Sequence, residues 1–425
     1  MSTSAARPPG GNGPDAAWFD EARLGLFVHW GPASAAGREL SWPLVHGLPL
    51  LPAAAPVEPA EYYRGFEEFC PEPGAPRRWV AAARDAGMGY AVLTTKHHDG
   101  FALWPTRATD FSIARTPYRG DPVGEFAEAC RAAGLRVGLY YSLSDWHHPD
   151  YPAYDGGGYL PYLGRRPAPD AWARYREVLF AQVRELCERY RPDLLWFDGQ
   201  WERTADEWGA DELAAMIREL CPGVLVTDRL PGHGDVETPE QALPVRPPDG
   251  RWETCLTMNR SWGHVPDDRD HKSVRHLVHT LCETAGRGGN LLVNVGPRGD
   301  GSLAPEQAER LAGIGTWMER YGESIRGTTP GLEPWQWYGP STRRGDTVFL
   351  HLLWRPYETV TVRGVPLRRV REVREVASGR VLEHATRATV AEELSGDPVG
   401  EVVVRVPPEV VDDVATVLAL DLAPV

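Results

Sequence analysis

Short apolar runs recur along this 425-residue chain and alternate with longer amphipathic segments. The runs are rich in Val, Leu and aromatic residues, which is typical of buried strands. They cover 24–31, 90–95, 137–142, 194–199, 224–229, 252–258 and 290–296. The segments between them carry apolar residues at helical spacing and cover 76–86, 123–133, 170–190, 206–220, 272–285 and 305–321. This alternation predicts an α/β fold with parallel strands and helical crossovers.

The number of strand–helix units favours a (β/α)8-like barrel of the TIM type over an open doubly wound sheet. No glycine-rich dinucleotide fingerprint follows the first strand, which also argues against the open sheet. We therefore assign residues 16–330 to the barrel. After residue 330, short strand-like runs are separated by Gly, Pro and Asp, so 331–425 is predicted to form an antiparallel β-sandwich. Residues 1–15, rich in Ala, Pro, Gly and Ser, predict a disordered leader rather than a signal peptide.

Composition narrows the classes of partner. A formal net charge of -14 argues against nucleic acid or an acidic membrane surface, because both bind clustered Lys and Arg. No apolar run is long enough to span a membrane. The six Cys are scattered without a CxxC pair, which predicts reduced thiols and a cytoplasmic location. The 16 Trp and 15 Tyr suit the apolar faces of sugars, although many could simply fill the core. A homo-oligomer is compatible with all of these features.

Polar side chains follow the C-terminal end of nearly every predicted strand. They are His29, Lys96, His97, His98, Asp99, Tyr140, Asp198, Arg229 and Asn294. Parallel barrels carry their active sites at this rim, so we expect these residues to converge on one pocket. The ordinary alternative for each is a capping residue or a loop side chain bonded to the backbone.

Asp198 ends the apolar run LLWF and is the sharpest candidate. A buried carboxylate is costly unless it has a partner or a function. A glycosidase needs two carboxyl groups, and Asp198 would supply one of them. Glu237, Glu240 or Glu253 would supply the other, and spacing alone does not choose among them. Each of the three is equally compatible with a solvated loop acid.

A zinc site is the main chemical rival. His29, His97 and His98 could bind the metal together with Asp198, as in some barrel hydrolases. Adjacent histidines, however, point in different directions from a strand, and no His-x-His pair ends the first strand. We therefore expect no metal at this rim.

Six motifs together resemble glycoside hydrolase family 29, the retaining α-L-fucosidases, over the stretch from Trp18 to Pro330. They are GLFVHWGP (25–32), TTKHHDGFALWPT (94–106), GLRVGLYYSLSDWHHPDY (134–151), LLWFDG (194–199), WETCLTMNRSWG (252–263) and GGNLLVNVGPRGDG (288–301). The resemblance implies an exo-acting enzyme that removes terminal α-L-fucosyl residues from fucosylated oligosaccharides or glycoconjugates. It also implies double displacement through a covalent glycosyl-enzyme, a hydrolysis that needs neither a metal nor an organic cofactor.

The resemblance assigns roles residue by residue. Asp198 matches the nucleophile, and Glu240 matches the general acid and base, with Glu253 as the runner-up. The family's Glu-Trp pair on the first long loop is not reproduced, and Glu39 and Trp42 are its nearest counterparts. The residues expected to bind the substrate are His29, Glu39, Trp42, His97, His98, Tyr140, Trp196, Arg229, Glu253 and Trp262, the last as an aglycone contact.

Two alternatives stay open beside this function. One is a glycosidase of the same fold that acts on a different α-linked sugar. The other is a carbohydrate-binding relative without turnover, which the presence of both Asp198 and Glu240 argues against.

Overall fold

A computed structural model describes residues 15–44, 55–151 and 170–424. The predicted leader lies outside the described residues except for Asp15. Within the described parts, eight parallel strands form a barrel and two antiparallel sheets form a β-sandwich, as the sequence predicted. No helix in these ranges is long and apolar enough to cross a membrane.

The barrel strands are short and almost wholly buried. They are β1 (Leu24–Val28), β2 (Tyr90–Lys96), β3 (Arg136–Ser142), β4 (Leu194–Asp198), β5 (Leu225–Val226), β6 (Val236–Glu237), β7 (Arg251–Thr257) and β8 (Asn290–Val295). Every residue of β1, β2, β4 and β8 is buried. Both faces of such a strand are covered, by the barrel interior and by helices, which explains why the sequence shows continuous apolar runs rather than alternation.

The strands pair in the order β5-β4-β3-β2-β1-β8-β7-β6. A parallel bridge between Thr227, which follows β5, and Val236, which begins β6, joins the two ends of this sheet and closes the barrel. The sequence did not predict β6. It has only two residues and lies in an acidic segment without an apolar run.

The helices are α1 (Ala17–Ala22), α2 (Pro32–Ala35), α3 (Pro59–Tyr62), α4 (Ala75–Asp85), α5 (Pro122–Ala132), α6 (Ala171–Tyr190), α7 (Ala205–Trp208), α8 (Ala210–Leu220), α9 (Val274–Gly286), α10 (Pro305–Tyr321) and α11 (Val390–Glu393). The six predicted amphipathic segments form α4 to α10, and the sequence did not predict the short helices α1, α2, α3 and α11. The predicted helix 206–220 divides into α7 and α8 at Gly209. That residue has a φ of 66°, which glycine adopts at little cost.

Two antiparallel sheets form the C-terminal sandwich. Their strands are β9 (Thr329–Pro330), β10 (Ser341–Arg344), β11 (Thr347–Leu352), β12 (Thr359–Pro366), β13 (Val370–Glu375), β14 (His384–Arg387), β15 (Val399–Arg405) and β16 (Thr416–Leu422). The larger sheet has the order β13-β16-β11-β10-β9 and the smaller one β12-β15-β14. Val and Leu side chains of β11 and β16 pack in one cluster with those of β12 and β15, which joins the two sheets.

Candidate active site

The predicted polar residues do converge at the C-terminal rim of the barrel. Asp198 is the last residue of β4 and Tyr140 lies near the end of the neighbouring β3. His29 follows β1, and His97 and His98 follow β2. Because adjacent parallel strands end on the same side, their terminal side chains share one space.

Asp198 accepts hydrogen bonds from two side chains and lies beside a third. Arg229 Nη1 donates to Oδ1 at 2.7 Å, and the Tyr140 hydroxyl donates to Oδ2 at 2.8 Å. His98 Nε2 lies 3.7 Å from Oδ2. Burial alone would raise the pKa of Asp198, but the Arg229 charge and these hydrogen bonds hold the pKa below its ordinary value. Asp198 is therefore ionised at neutral pH, as a nucleophile must be.

Arg229 also binds Glu240. Its Nη2 donates to Glu240 Oε2 at 2.8 Å, so one guanidinium holds two carboxylates. The guanidinium carbon lies 4.6 Å from the Trp196 ring centroid, which supports it from one face. The Glu240 side chain is 39% exposed, against 10% for Asp198. Glu240 therefore approaches from the solvent side and Asp198 from the buried side.

Glu253 and Glu237, the other candidate acids, lie elsewhere. Glu253 is fully buried, and its oxygens accept hydrogen bonds from the Tyr90 hydroxyl and, at 2.8 Å, from Trp196 Nε1. Burial raises its pKa to about 7. Trp196 thus contacts both Glu253 and Arg229, and the two oxygens of the inaccessible Glu253 carboxyl group are engaged by Tyr90 and Trp196 rather than offered to a sugar or to proton transfer. Glu237 lies in β6 with an exposed side chain.

The hydrogen-bond partners of His29 fix its tautomer. Asn294 Nδ2 donates to the Trp262 carbonyl at 2.7 Å, so Asn294 Oδ1 is the acceptor for His29 Nδ1 at 2.6 Å. Burial lowers the pKa of His29 to about 3. His29 is therefore neutral, with Nε2 left as a hydrogen-bond acceptor.

His98 shows the same arrangement. Ser142 donates its proton to the Ser144 carbonyl at 2.8 Å, so His98 Nδ1 donates to Ser142 Oγ at 2.6 Å. Burial lowers the pKa of His98 to about 4. Its Nε2 is buried without a hydrogen-bond partner among the described residues. Buried polar atoms are seldom left unpaired, so this acceptor beside Asp198 fits a hydroxyl group of a ligand.

His97 and Trp42 complete this wall. His97 Nδ1 lies 2.6 Å from Ser41 Oγ, and its ring stacks on Tyr140 with planes 9° apart. The Trp42 ring meets His98 edge-on at 5.2 Å. Trp42 Nε1 is a buried donor with no partner in the described part of the chain, so a second ligand hydroxyl could pair there.

Glu39, which the family resemblance predicted to bind the substrate, instead holds the backbone of the Trp262 loop. Glu39 is buried and accepts backbone N–H bonds from Trp262 at 2.6 Å and Gly263 at 2.9 Å. Both oxygens are thus used to hold a loop, and Glu39 does not face the cavity as a substrate ligand. The loop places the Trp262 ring 5.0 Å from His29 with 6% exposure. Trp262 therefore belongs to the enclosed part of the pocket.

The loop that carries the two histidines rests on buried charges. Lys96 Nζ lies 3.4 Å from Asp145 Oδ2, with both side chains nearly inaccessible. Asp99 accepts from the Tyr62 hydroxyl, and its backbone N–H donates to Ser41 Oγ. Lys96 and Asp99, predicted at the rim, therefore position the neighbouring histidines. Sequence reasoning missed Ser41, because isolated serines carry no distinctive pattern.

The rival metal site is also present as a geometry. His97, His98 and Asp198 offer ligand atoms within 4.8 Å of one another. Arg229, however, already places a fixed positive charge 2.7 Å from Asp198, which opposes a second cation there. The geometry favours a carboxylate that works as a nucleophile over one that works as a metal ligand.

A carboxylate nucleophile, a second carboxyl group on the solvent side and neutral imidazoles for hydroxyl groups are the requirements of double displacement at a sugar. At the rim of a parallel barrel, they define a glycoside hydrolase. Within that class, the chain belongs to the α-L-fucosidase family, since residues 11–323 match the family model described as Alpha-L-fucosidase. The resemblance seen in the sequence is thereby confirmed.

Characterised relatives and solved structures agree with this family. Tissue alpha-L-fucosidase of Homo sapiens is 32% identical over 364 residues, which cover 79% of this chain and 75% of that protein. Alpha-L-fucosidase isoenzyme 1 from Paenibacillus thiaminolyticus is 36% identical with a TM-score of 0.85, covering 96% of this chain and 99% of the other. A family 29 α-L-fucosidase from Bacteroides thetaiotaomicron, solved as a trapped covalent intermediate, is 27% identical with a TM-score of 0.80, covering 98% and 100%.

Proposed function

We propose that this α-L-fucosidase removes terminal α-L-fucosyl residues with retention of configuration, using Asp198 as nucleophile and Glu240 as acid and base. The observation that carries the proposal is the Arg229 guanidinium, which binds both carboxylates at once. It keeps Asp198 ionised and fixes Glu240 at the solvent side. The trapped covalent intermediate of the Bacteroides thetaiotaomicron relative supports the same course.

The reaction takes two steps. Asp198 attacks the anomeric carbon and forms an ester, while the glycosidic bond breaks and Glu240 gives its proton to the departing oxygen. Glu240, now a carboxylate, takes a proton from water. The water oxygen attacks the same carbon, and the Asp198 ester bond breaks to release the sugar.

The unpaired polar atoms give the pocket its selectivity. His29 Nε2 and His98 Nε2 are acceptors for sugar hydroxyls, and Trp42 Nε1 is a donor. The Trp262 ring, supported by the buried Phe27 ring 6.1 Å away, offers an apolar wall for the fucose methyl group. A site of this kind rejects sugars that leave its polar atoms unpaired.

Trapping tests the nucleophile. A 2-fluoro-fucosyl fluoride should add one fluorofucosyl mass to the protein, and peptide mapping should place it on Asp198. Proton NMR of early hydrolysis should show α-L-fucose first. Asp198→Ala should lower kcat by about 10⁴-fold with an unchanged circular dichroism spectrum. Early β-L-fucose, or a label on another residue, would reject the assignment.

Two further controls address the rival functions. A panel of nitrophenyl glycosides should show fucoside as the preferred substrate over other α-linked sugars. A chelator should leave the rate unchanged, whereas a zinc hydrolase would lose activity.

We also propose a cytoplasmic location. All six cysteines are free and five are buried, which suits a reducing compartment. Fractionation of the producing cells, with an activity assay on each fraction, tests this; activity confined to the exterior would reject it. Sedimentation of the purified chain would test for the homo-oligomer.

A further inference from the structure

Trp201 is a large aromatic residue beside the active site to which the two-step reaction gives no role. It lies on the short 3-10 helix Gln200–Glu202, directly after the Asp198 strand end, and is 44% exposed. Its ring meets the His98 ring with centroids 5.5 Å apart and planes at 76°. Since His98 lies 3.7 Å from Asp198, one side chain separates this exposed indole from the nucleophile.

The backbone that carries Trp201 is firmly held. The next residue, Glu202, is buried and accepts hydrogen bonds from Trp146 Nε1 at 2.9 Å and from the Tyr151 hydroxyl. On the other side, Trp208 Nε1 donates to the Gln200 carbonyl at 3.0 Å. An exposed ring on a fixed backbone is already oriented for a ligand, so little conformational entropy is lost on binding.

Trp201 differs from Trp262, the residue that the sequence suggested as the aglycone contact. Trp262 is 6% exposed and packs against His29 and Phe27 inside the pocket. A single terminal sugar occupies that enclosed part. The group attached to its anomeric carbon extends toward solvent, and Trp201 is an exposed ring only one side chain away from the nucleophile that attacks this carbon.

We infer that Trp201 stacks on the leaving group of the substrate, whether an aryl ring or the apolar face of a sugar, and so sets the preference among aglycones. The inference rests on the proposed fucosidase function. Because the leaving group is absent from the second step, Trp201 should affect only the formation of the glycosyl-enzyme. The effect should therefore appear in kcat/KM and depend on the leaving group.

Three substrates separate this contact from a contact with fucose. α-L-Fucosyl fluoride has a leaving group too small to reach the indole, whereas 4-nitrophenyl α-L-fucoside and a fucosylated lactose trisaccharide can reach it. Trp201→Ala should lower kcat/KM about three- to tenfold for the two larger substrates and leave the fluoride unchanged. Inhibition by free fucose should also be unchanged. Trp201→Phe, which keeps a flat ring, should retain most of the rate.

Trp335→Ala is the matched control, since Trp335 is a 66% exposed tryptophan that precedes β10 of the sandwich. It should leave all three rates unchanged. An equal loss on all three substrates, or weaker inhibition by fucose, would place Trp201 in the fucose pocket and overturn the inference. So would unchanged rates in well-folded Trp201→Ala. A wild-type protein inactive on every fucoside would instead refute the proposed function, and the inference with it.

Discussion

The floor of the active site, formed by Tyr90, Trp196 and Glu253, contrasts with its mouth, formed by Asp198, Arg229 and Glu240. On the floor, a carboxyl group is fully buried and hydrogen-bonded by neutral donors, and burial raises its pKa to about 7. At the mouth, two carboxyl groups share a guanidinium, and one of them is well exposed.

The difference shows that a raised pKa of a carboxyl group reflects its burial and does not by itself identify the group as the general acid. A carboxyl group with a pKa near neutrality is a common mark of a general acid. Glu253 carries that mark, but it is fully buried and its oxygens already accept hydrogen bonds from Tyr90 and Trp196. Glu240, whose side chain is 39% exposed, has the access from the solvent side that proton transfer to a glycosidic oxygen requires. Access to the solvent side of the site, rather than a raised pKa, therefore favours Glu240 over Glu253 as the acid.

Substitution of Glu240 should cause the largest loss of activity among Glu240, Glu253 and His351. Glu240→Ala removes the proton donor and should lower kcat on aryl fucosides about 10²- to 10³-fold. Azide, which needs no base, should restore part of the rate and give a fucosyl azide. Glu237→Ala, on the exposed β6 position, is the control and should retain activity. Azide rescue in Glu253→Ala rather than in Glu240→Ala would show that Glu253, and not Glu240, is the general acid and base.

Glu253→Gln should have a smaller effect of another kind. The amide oxygen of Gln can accept a hydrogen bond from only one of the two donors, Tyr90 or Trp196. The amide NH2 group then faces the other donor, and that hydrogen bond is lost. We therefore expect the unfolding free energy to fall by about 1–3 kcal/mol. The rate should fall less than tenfold through the displaced Trp196 and Arg229, without azide rescue. Urea unfolding beside kcat measurements checks this. Unchanged stability together with a severe loss of rate would show that Glu253 takes part in the chemistry.

His351 in β11 offers the smallest effect on activity and separates the consequences of burial from those of function. It is a fully buried histidine of the sandwich, and burial lowers its pKa to about 3. As the pH falls below 6.5, the unfolded chain protonates this residue while the folded protein keeps it neutral until about pH 3. Wild type should therefore lose about 1.4 kcal/mol of stability per pH unit relative to His351→Gln in that window.

The measurement is unfolding by urea at several pH values between 4 and 7, as a difference between the two proteins. Activity at pH 7 should be the same in both. A constant difference in stability across the pH range would show that His351 takes up its proton as readily in the folded sandwich as in the unfolded chain.

The sequence was sufficient to predict strands and site residues wherever a local pattern has a single physical cause. Continuous apolar runs predicted seven of the barrel strands, because strands covered on both faces tolerate few polar residues. Asp198 stood out because a carboxylate that ends such a run is costly without a function. The assignment of Glu240 needed the family resemblance, since nothing local separates it from Glu237.

Only the tertiary structure decided which polar residues face the substrate. Glu39 and Glu253 turn away from the cavity, the first to hold the Trp262 loop and the second to hold Trp196. Trp201 became visible as a rim residue only when its exposure and its contact with His98 were known. The physical reason is that the pattern of apolar and polar residues along the chain reflects only the average burial of a segment. The direction of one side chain depends instead on partners far away in sequence, such as the Glu39–Trp262 pair.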